Sequence, residues 1–411
     1  MTGMNRVKNR KTEYAGERNT VMAISNFMPP RMAFGGAELQ AVKEVFDFYK
    51  EKRTDFGYQS IFEQRYTDAF VKYMEVPGFA DAVSSGTAAL FVALASLQLK
   101  PGSHVIVSPI TDPGTLSAII LNQLKPVVAD AAPDMYNIGV QEFLSRVTDS
   151  TKAVVVVHSA GQAAPIAEIS RIAADQGIYV VEDCSQAHGA KHKGKKVGTF
   201  GDVAAFSTMY RKAHATGGCG GIVFTRNEER YKLVRSYADR GKPFFAPGFD
   251  EKDPEKFLFP ALNLNADEIS CAIGLSSLAK LDDTIHRRLL FLQSLHQEVK
   301  RHSRVCKLMA FSKDDSPFFL PIFVDSGKIT CPKTEFAELL AEHGVSVNPH
   351  YKYVVSEWPW VSSYLAEKHE CTNAAACRNQ SFNLLFNENC GEDEVKRIVN
   401  AILATEETCV K

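Results

Sequence analysis

One lysine stands alone in a stretch built for chemistry. Residues 206–221 read Phe-Ser-Thr-Met-Tyr-Arg-Lys-Ala-His-Ala-Thr-Gly-Gly-Cys-Gly-Gly. An apolar β-type run, 203–206, leads in, and another, 222–224, leads out. A neutral lysine amine attacks carbonyls, and burial lowers its pKa toward that state. Ser207, five residues before Lys212, offers a hydroxyl to an anion. The glycines at 217, 218, 220 and 221 let backbone approach a ligand closely.

Two further stretches complement the lysine. Residues 178–181 are a continuous apolar, largely β-branched run, as a buried parallel strand should be. It ends in Glu182-Asp183-Cys184-Ser185-Gln186-Ala187-His188-Gly189. Carboxylates at the carboxyl end of such a strand sit where open α/β sheets bind ligands. Upstream, Val83-Ser84-Ser85-Gly86-Thr87-Ala88-Ala89-Leu90 passes from a turn into a predicted helix. The first amides of a helix point at anions, and the helix dipole assists them. An anion cradle, a strand-end Asp and a Lys match the three demands of pyridoxal phosphate. Its phosphate needs donors, its ring nitrogen a carboxylate and its aldehyde an amine.

With these residues in place the chain resembles the DegT-like sugar aminotransferases. These are pyridoxal phosphate enzymes of fold type I, the aspartate aminotransferase superfamily. Ser84 to Leu90 is similar to the family's phosphate element, and Glu182 to Gly189 to its Glu-Asp-x-x-Gln-Ala-x-Gly element. Ser207, Lys212 and Gly218 to Gly221 match its lysine element. Asn263, Glu268 and Ala272-Ile273-Gly274 resemble a fourth signature. The resemblance runs from about Phe34 to the C-terminus.

The resemblance implies a PLP-dependent aminotransferase, with pyridoxamine phosphate as its amine-carrying form. Glutamate or glutamine is the implied donor. The implied acceptor is a keto-sugar, often nucleotide-linked, in amino-sugar, surface-polysaccharide or natural-product biosynthesis. A cyclitol or other polyol ketone stays open. Lys212 and Asp183 are the implied catalytic residues. Gly86, Thr87 and Ser207 would hold the phosphate, Gln186 the ring oxygen, and Asn263 the phosphate of a neighbouring subunit. A homodimer with shared active sites follows. Tyr58, Asp112, His158 and His350 are candidate substrate contacts, each with a plain structural alternative.

The chain departs from the family at three places. Asp112 stands where an aromatic side chain stacks on the cofactor ring, Asn265 where an Arg is frequent, and Cys219 where an acidic residue is usual. Two rivals therefore remain. One is a pyridoxamine-phosphate-dependent sugar dehydratase, in which a His replaces the Lys; His214 lies two residues away. The other is a non-catalytic binding or regulatory protein of the same fold.

The elements that must position these residues are legible as patterns. Residues 37–52 and 61–73 read as amphipathic helices, and 104–107, 126–130 and 154–157 as strands. Alternating strands and helices predict a mainly parallel central sheet with helices on both faces, followed by a smaller C-terminal α+β domain. The expected division is a polar, disordered or extended segment 1–33, a large cofactor-binding domain 34–265, one long linking helix 266–303, and a small domain 304–411.

The 411 residues suit two domains. A net charge of −1 gives no electrostatic argument for nucleic acid or a membrane surface. No apolar run reaches the ~20 residues of a membrane helix, and residues 1–18 lack the apolar core of a secretory signal. Nine cysteines without CxxC spacing suggest reduced thiols in a cytoplasmic protein and no metal site.

Overall fold

The computed structural model describes residues 26–410. Part of the segment expected to be disordered or extended, residues 1–25, lies outside them.

The main sheet has seven strands. In chain order β1 (Phe79–Val83), β2 (His104–Val107), β3 (Lys125–Val128), β4 (Thr151–Val157) and β5 (Tyr179–Asp183) precede a short hairpin of β6 (Lys191–His192) and β7 (Lys195–Lys196). Then come β8 (Val203–Ser207) and β9 (Gly221–Thr225). The sheet order is β1-β9-β8-β5-β4-β2-β3. Only β9 runs against its neighbours; the others are mutually parallel.

Helices cover both faces. They are α1 (Gly36–Lys52), α2 (Ile61–Tyr73), α3 (Gly86–Ala95), α4 (Pro113–Leu121), α5 (Val140–Leu144), α6 (Ile166–Asp175), α7 (Glu228–Ala238) and α8 (Glu268–Leu278). Strand alternation assigns the faces. Val105, Val107, Val181, Val203, Ala205 and Val223 pack with residues of α3, α4 and α7. Ala82, Ala204, Phe206 and Ile222 face α1, α2 and α8 instead. Ile106, Val154, Val156 and Val180 face α5 and α6.

That parity separates two adjacent carboxylates. Asp183 follows Val181 onto the α3/α4 face. Glu182 turns to the other face, where its oxygens accept the amides of Gly198 (2.7 Å), Phe200 (2.8 Å) and Gly201 (2.7 Å). A buried carboxylate so satisfied is a structural anchor for the turn that follows β7.

The single linking helix expected over 266–303 is two helices. α8 ends at Leu278 and α9 (Leu281–His302) begins after Lys280. The Lys280 amide bonds the Ser277 carbonyl at 3.1 Å, a tight i→i−3 turn. The Lys280 ammonium pairs with the Glu38 carboxylate. Asp282 and Asp283 then occupy the first turn of α9, where the dipole favours acidic groups. The break lets α8 pack against α1 and α2 while α9 leads to the second sheet.

The second sheet has the order β10 (Cys306–Leu308), β11 (Leu320–Val324), β13 (Ser381–Leu384), β12 (Val347–Asn348), all antiparallel. α10 (Lys333–Glu342), α11 (Thr372–Gln380) and α12 (Glu392–Cys409) complete this part. Its core joins α9, α10 and α12 to the sheet through Leu295, Phe336, Phe382 and Ile398. Among the described residues no helix is long and apolar enough to cross a membrane.

Candidate active site

The carboxyl ends of β5 and β8 open on a cavity of about 820 Å³, within the range of small-molecule sites. Its wall contains Gly86, Thr87, Asp112, Asp183, Gln186, Ser207 and Lys212. Seven of the residues singled out from sequence therefore meet in one place.

Ser85 caps α3 by accepting the Ala88 amide at 3.0 Å. The amides of Gly86 and Thr87, in the first turn, have no acceptor within the helix. Gly86 is demanded by contact: a Cβ there would lie 2.4 Å from the Ser207 Cβ. The helix N-terminus and the Ser207 side chain are thus held together as one donor cluster.

Asp183 is buried at the end of β5. Its Oδ2 accepts from the Thr115 hydroxyl at 3.1 Å, and its Oδ1 from the Ser185 amide at 3.1 Å. Lys212 is only 8% exposed. Burial lowers its pKa to about 8, against the opposing pull of Asp183 and Asp112. Its Nζ lies 4.2 Å from the centroid of the Phe318 ring. Gln186 Oε1 accepts the Ala160 amide at 2.8 Å, which leaves its amide nitrogen to donate.

Asp112 lines the cavity, and its Oδ1 accepts the Gly114 amide at 2.9 Å as the N-cap of α4. The local reason for an Asp here is the cap followed by Pro113 at the first helical position.

Four candidates do not reach this cavity. His158 is sealed beneath it: its Nδ1 accepts the Ala164 amide at 3.1 Å, so Nε2 carries the proton and donates to Glu182 at 3.1 Å. Those bonds also account for two members of the one close His/Glu/Cys group among the described residues, His158, Glu182 and Cys184. His350 is exposed, 4.0 Å from Glu338. The next residue, Tyr351, takes the inward place. Its φ of 35° and the bond of its amide to Asn348 Oδ1 (3.1 Å) turn the chain there. Tyr58 is exposed, with its hydroxyl 2.5 Å from Arg240 Nη2. Asn263 is exposed too, and its Oδ1 accepts from Asn265 Nδ2 at 2.7 Å. Both stand outside the cavity of their own chain.

Sequence reading did not single out Thr115, Phe318 and Arg31, and it favoured His350 over its neighbour Tyr351. Thr115 had a weak signal, its four-residue spacing from Thr111 across an Asp-Pro pair. Phe318 had none, because only the docking of residues 316–318 on the 160–161 loop brings it in. The Phe318 amide bonds the Ala160 carbonyl at 3.0 Å, and the Ser316 amide the Gly161 carbonyl at 2.9 Å. A Cβ on Gly161, at φ +94°, would lie 1.9 Å from the Ser316 oxygen. Arg31 belongs to the segment 1–33 expected to be disordered or extended. In the structure its guanidinium is hydrogen-bonded at the cavity wall.

Comparison with known proteins agrees with this geometry. The GDP-perosamine synthase of Escherichia coli O157:H7 is 31% identical over 253 residues, 62% of this chain and 66% of that protein. The uncharacterized protein MJ1066 of Methanocaldococcus jannaschii is 28% identical over 389 residues, 93% and 98% of the two chains. The aminotransferase structure from Psychrobacter cryohalolentis superposes with a TM-score of 0.83 at 25% identity, covering 93% of this chain and 99% of that one. Residues 38–403 match one family throughout. The chain belongs to the DegT/DnrJ/EryC1/StrS aminotransferase family.

Proposed function

We propose that this chain is a pyridoxal-phosphate-dependent aminotransferase that moves an amino group from glutamate or glutamine to a keto-sugar. The observation that carries the proposal is the pairing of a buried Lys212 amine, lowered to about 8, with the anchored Asp183 carboxylate in one cavity. The relative named GDP-perosamine synthase supports a nucleotide-linked acceptor.

The residues present fit the cofactor. Gly86, Thr87 and Ser207 supply the donors its phosphate needs, and the contact distance at Gly86 leaves no room for a side chain that would block them. Pyridoxal phosphate, when bound, supplies an aldehyde and a ring that withdraws electrons from a substrate carbon. Asp183, fixed by Thr115, would keep the ring nitrogen protonated. Gln186 would donate from its amide nitrogen to the ring oxygen. Lys212 is the cavity amine that would hold the aldehyde carbon. The same amine would take the proton at the donor α-carbon and return one at the acceptor. A pKa near 8 leaves roughly a tenth of that amine neutral at pH 7, far more than an ordinary lysine. Asp112 meets the substrate with the oxygen its cap does not use.

Asn263 and Tyr58 lie on an exposed edge with Arg240 and Asn265. They serve the site of a second copy, which makes a cytoplasmic homodimer the working unit. The dehydratase alternative needs a histidine in the cavity. His214 is fully buried between Tyr66 (2.7 Å) and Ser277 (3.3 Å), and burial pushes its pKa down to about 3. It does not line the cavity.

The test is a half-reaction. Protein loaded with pyridoxal phosphate and given glutamate or glutamine should lose its visible aldehyde-form band and release one keto acid per site. A keto-sugar should restore the band. A band that neither donor changes would contradict the proposal.

A further inference from the structure

We infer that Arg31 is a positioning residue for Lys212, and that residues 29–31 form a strap joining the smaller sheet's loops to the lysine loop. The Arg31 guanidinium makes three separate bonds. Nη1 donates to the Tyr210 carbonyl (2.7 Å), Nη2 to the Ala213 carbonyl (2.9 Å) and Nε to Glu388 Oε1 (2.8 Å). The two carbonyls bracket Lys212. Residues 208–216 lie in no helix or strand; the Met209–Gly217 bridge closes the base of the loop, and the Arg31 bonds bear on the shape of the part that carries Lys212.

Glu388 is the hub of the arrangement. Its Oε2 accepts from Nε (3.0 Å) and Nη2 (2.8 Å) of Arg288, which is 2% exposed. Arg288 Nη1 donates to the Pro317 carbonyl (3.1 Å). Pro317 precedes Phe318, whose ring lies beside the Lys212 ammonium. One carboxylate therefore fixes both the loop carrying Lys212 and the aromatic ring against it. The strap is tied down at its other side. Asn389 Nδ2 donates to the Pro30 (3.1 Å) and Arg31 (2.8 Å) carbonyls, and Asn387 Nδ2 to Pro29 (2.7 Å).

Arginine suits the position because its planar fork reaches three acceptors in fixed directions. A lysine ammonium is one point charge and cannot span them. Removing the guanidinium leaves Glu388 Oε1 and two loop carbonyls without these donors.

The inference has an arm that is independent of the proposed activity. Hydrogen exchange is followed by mass spectrometry on the cofactor-free protein, for wild type, Arg31→Ala, Arg31→Lys and Asn389→Ala. Exchange in residues 208–216 should quicken about tenfold or more in Arg31→Ala, the worth of one charge-assisted hydrogen bond. Arg31→Lys should not restore it. Asn389→Ala, which loosens the strap without touching the lysine loop, should show a smaller rise. Wild-type exchange in Arg31→Ala, or full recovery in Arg31→Lys, overturns the inference. Should Arg31→Ala not fold, unchanged exchange in Asn389→Ala overturns it instead. A second arm rests on Lys212 as the reactive amine. In the donor half-reaction Arg31→Ala should lower the maximal rate while KM stays within about twofold. A wild-type protein without turnover whose loop still loosens in Arg31→Ala contradicts the proposed activity and leaves the strap standing.

Discussion

The Thr115 hydroxyl donates to Asp183 Oδ2 at 3.1 Å and sits 2.7 Å from the Thr111 hydroxyl, which must then donate to it. A relay of two hydroxyls, one just before the N-cap of α4 and one in its first turn, thus orients the carboxylate assigned to the cofactor ring. Removing the Thr115 hydroxyl should free the carboxylate to rotate without emptying the pocket. Thr115→Val should lower the donor half-reaction rate about five- to tenfold, the worth of one hydrogen bond. Asp183→Asn should lower it about a hundredfold or more. Equal rates in wild type and Thr115→Val would show that the relay is idle.

Lys212 should titrate early. Burial favours the neutral amine and lowers its pKa to about 8, so the amine becomes reactive as pH rises through 8 rather than through the usual 10.5. Labelling of Lys212 in cofactor-free protein by an amine-selective reagent, followed from pH 6 to 10, should show a midpoint near 8. A midpoint near 10.5 would mean that the side chain is solvated.

Asp112 has two separable jobs. Asparagine caps a helix about as well as aspartate, whereas alanine does not. Asp112→Ala should cost about 1 kcal/mol of stability by the lost cap. Asp112→Asn should melt like the wild type yet raise KM for the acceptor, because the charge facing the cavity is gone. Unchanged KM in Asp112→Asn would reduce the residue to a cap.

A buried carboxyl behind the sheet sets a pH dependence of stability. Burial, and then the Asp81 carboxylate, raise the Glu63 pKa to about 8. The folded state holds this proton above pH 4.5, where the unfolded state has released it. Stability from this group therefore falls as pH rises from about 4.5 to 8. Melting temperature should decline over that interval in wild type and decline less in Glu63→Gln. Parallel curves would contradict the assignment.

Much of the site was readable because its residues are local in sequence. Gly86 and Thr87 open a helix, Asp183 ends a buried run, and Ser207 and Lys212 flank one loop. Strand parity even separates Asp183 from Glu182. What could not be read depends on long-range docking. Arg31 and Phe318 come from segments with no periodicity, and reach the lysine loop through Glu388 and the 160–161 backbone. His350 and Tyr351 illustrate the same limit at one residue's scale, since a single positive φ decides which side chain faces inward. The break at Lys280 escaped notice because both flanking segments are helical, and only their different packing partners divide them.

The account turns on which side chain holds the cofactor. Borohydride reduction of the protein loaded with pyridoxal phosphate, followed by peptide mapping, should place the cofactor on Lys212 and nowhere else. Lys212→Ala should bind the cofactor reversibly and carry no label. A label at another lysine, or none in the wild type, would contradict the assignment of this site and the chemistry built on it.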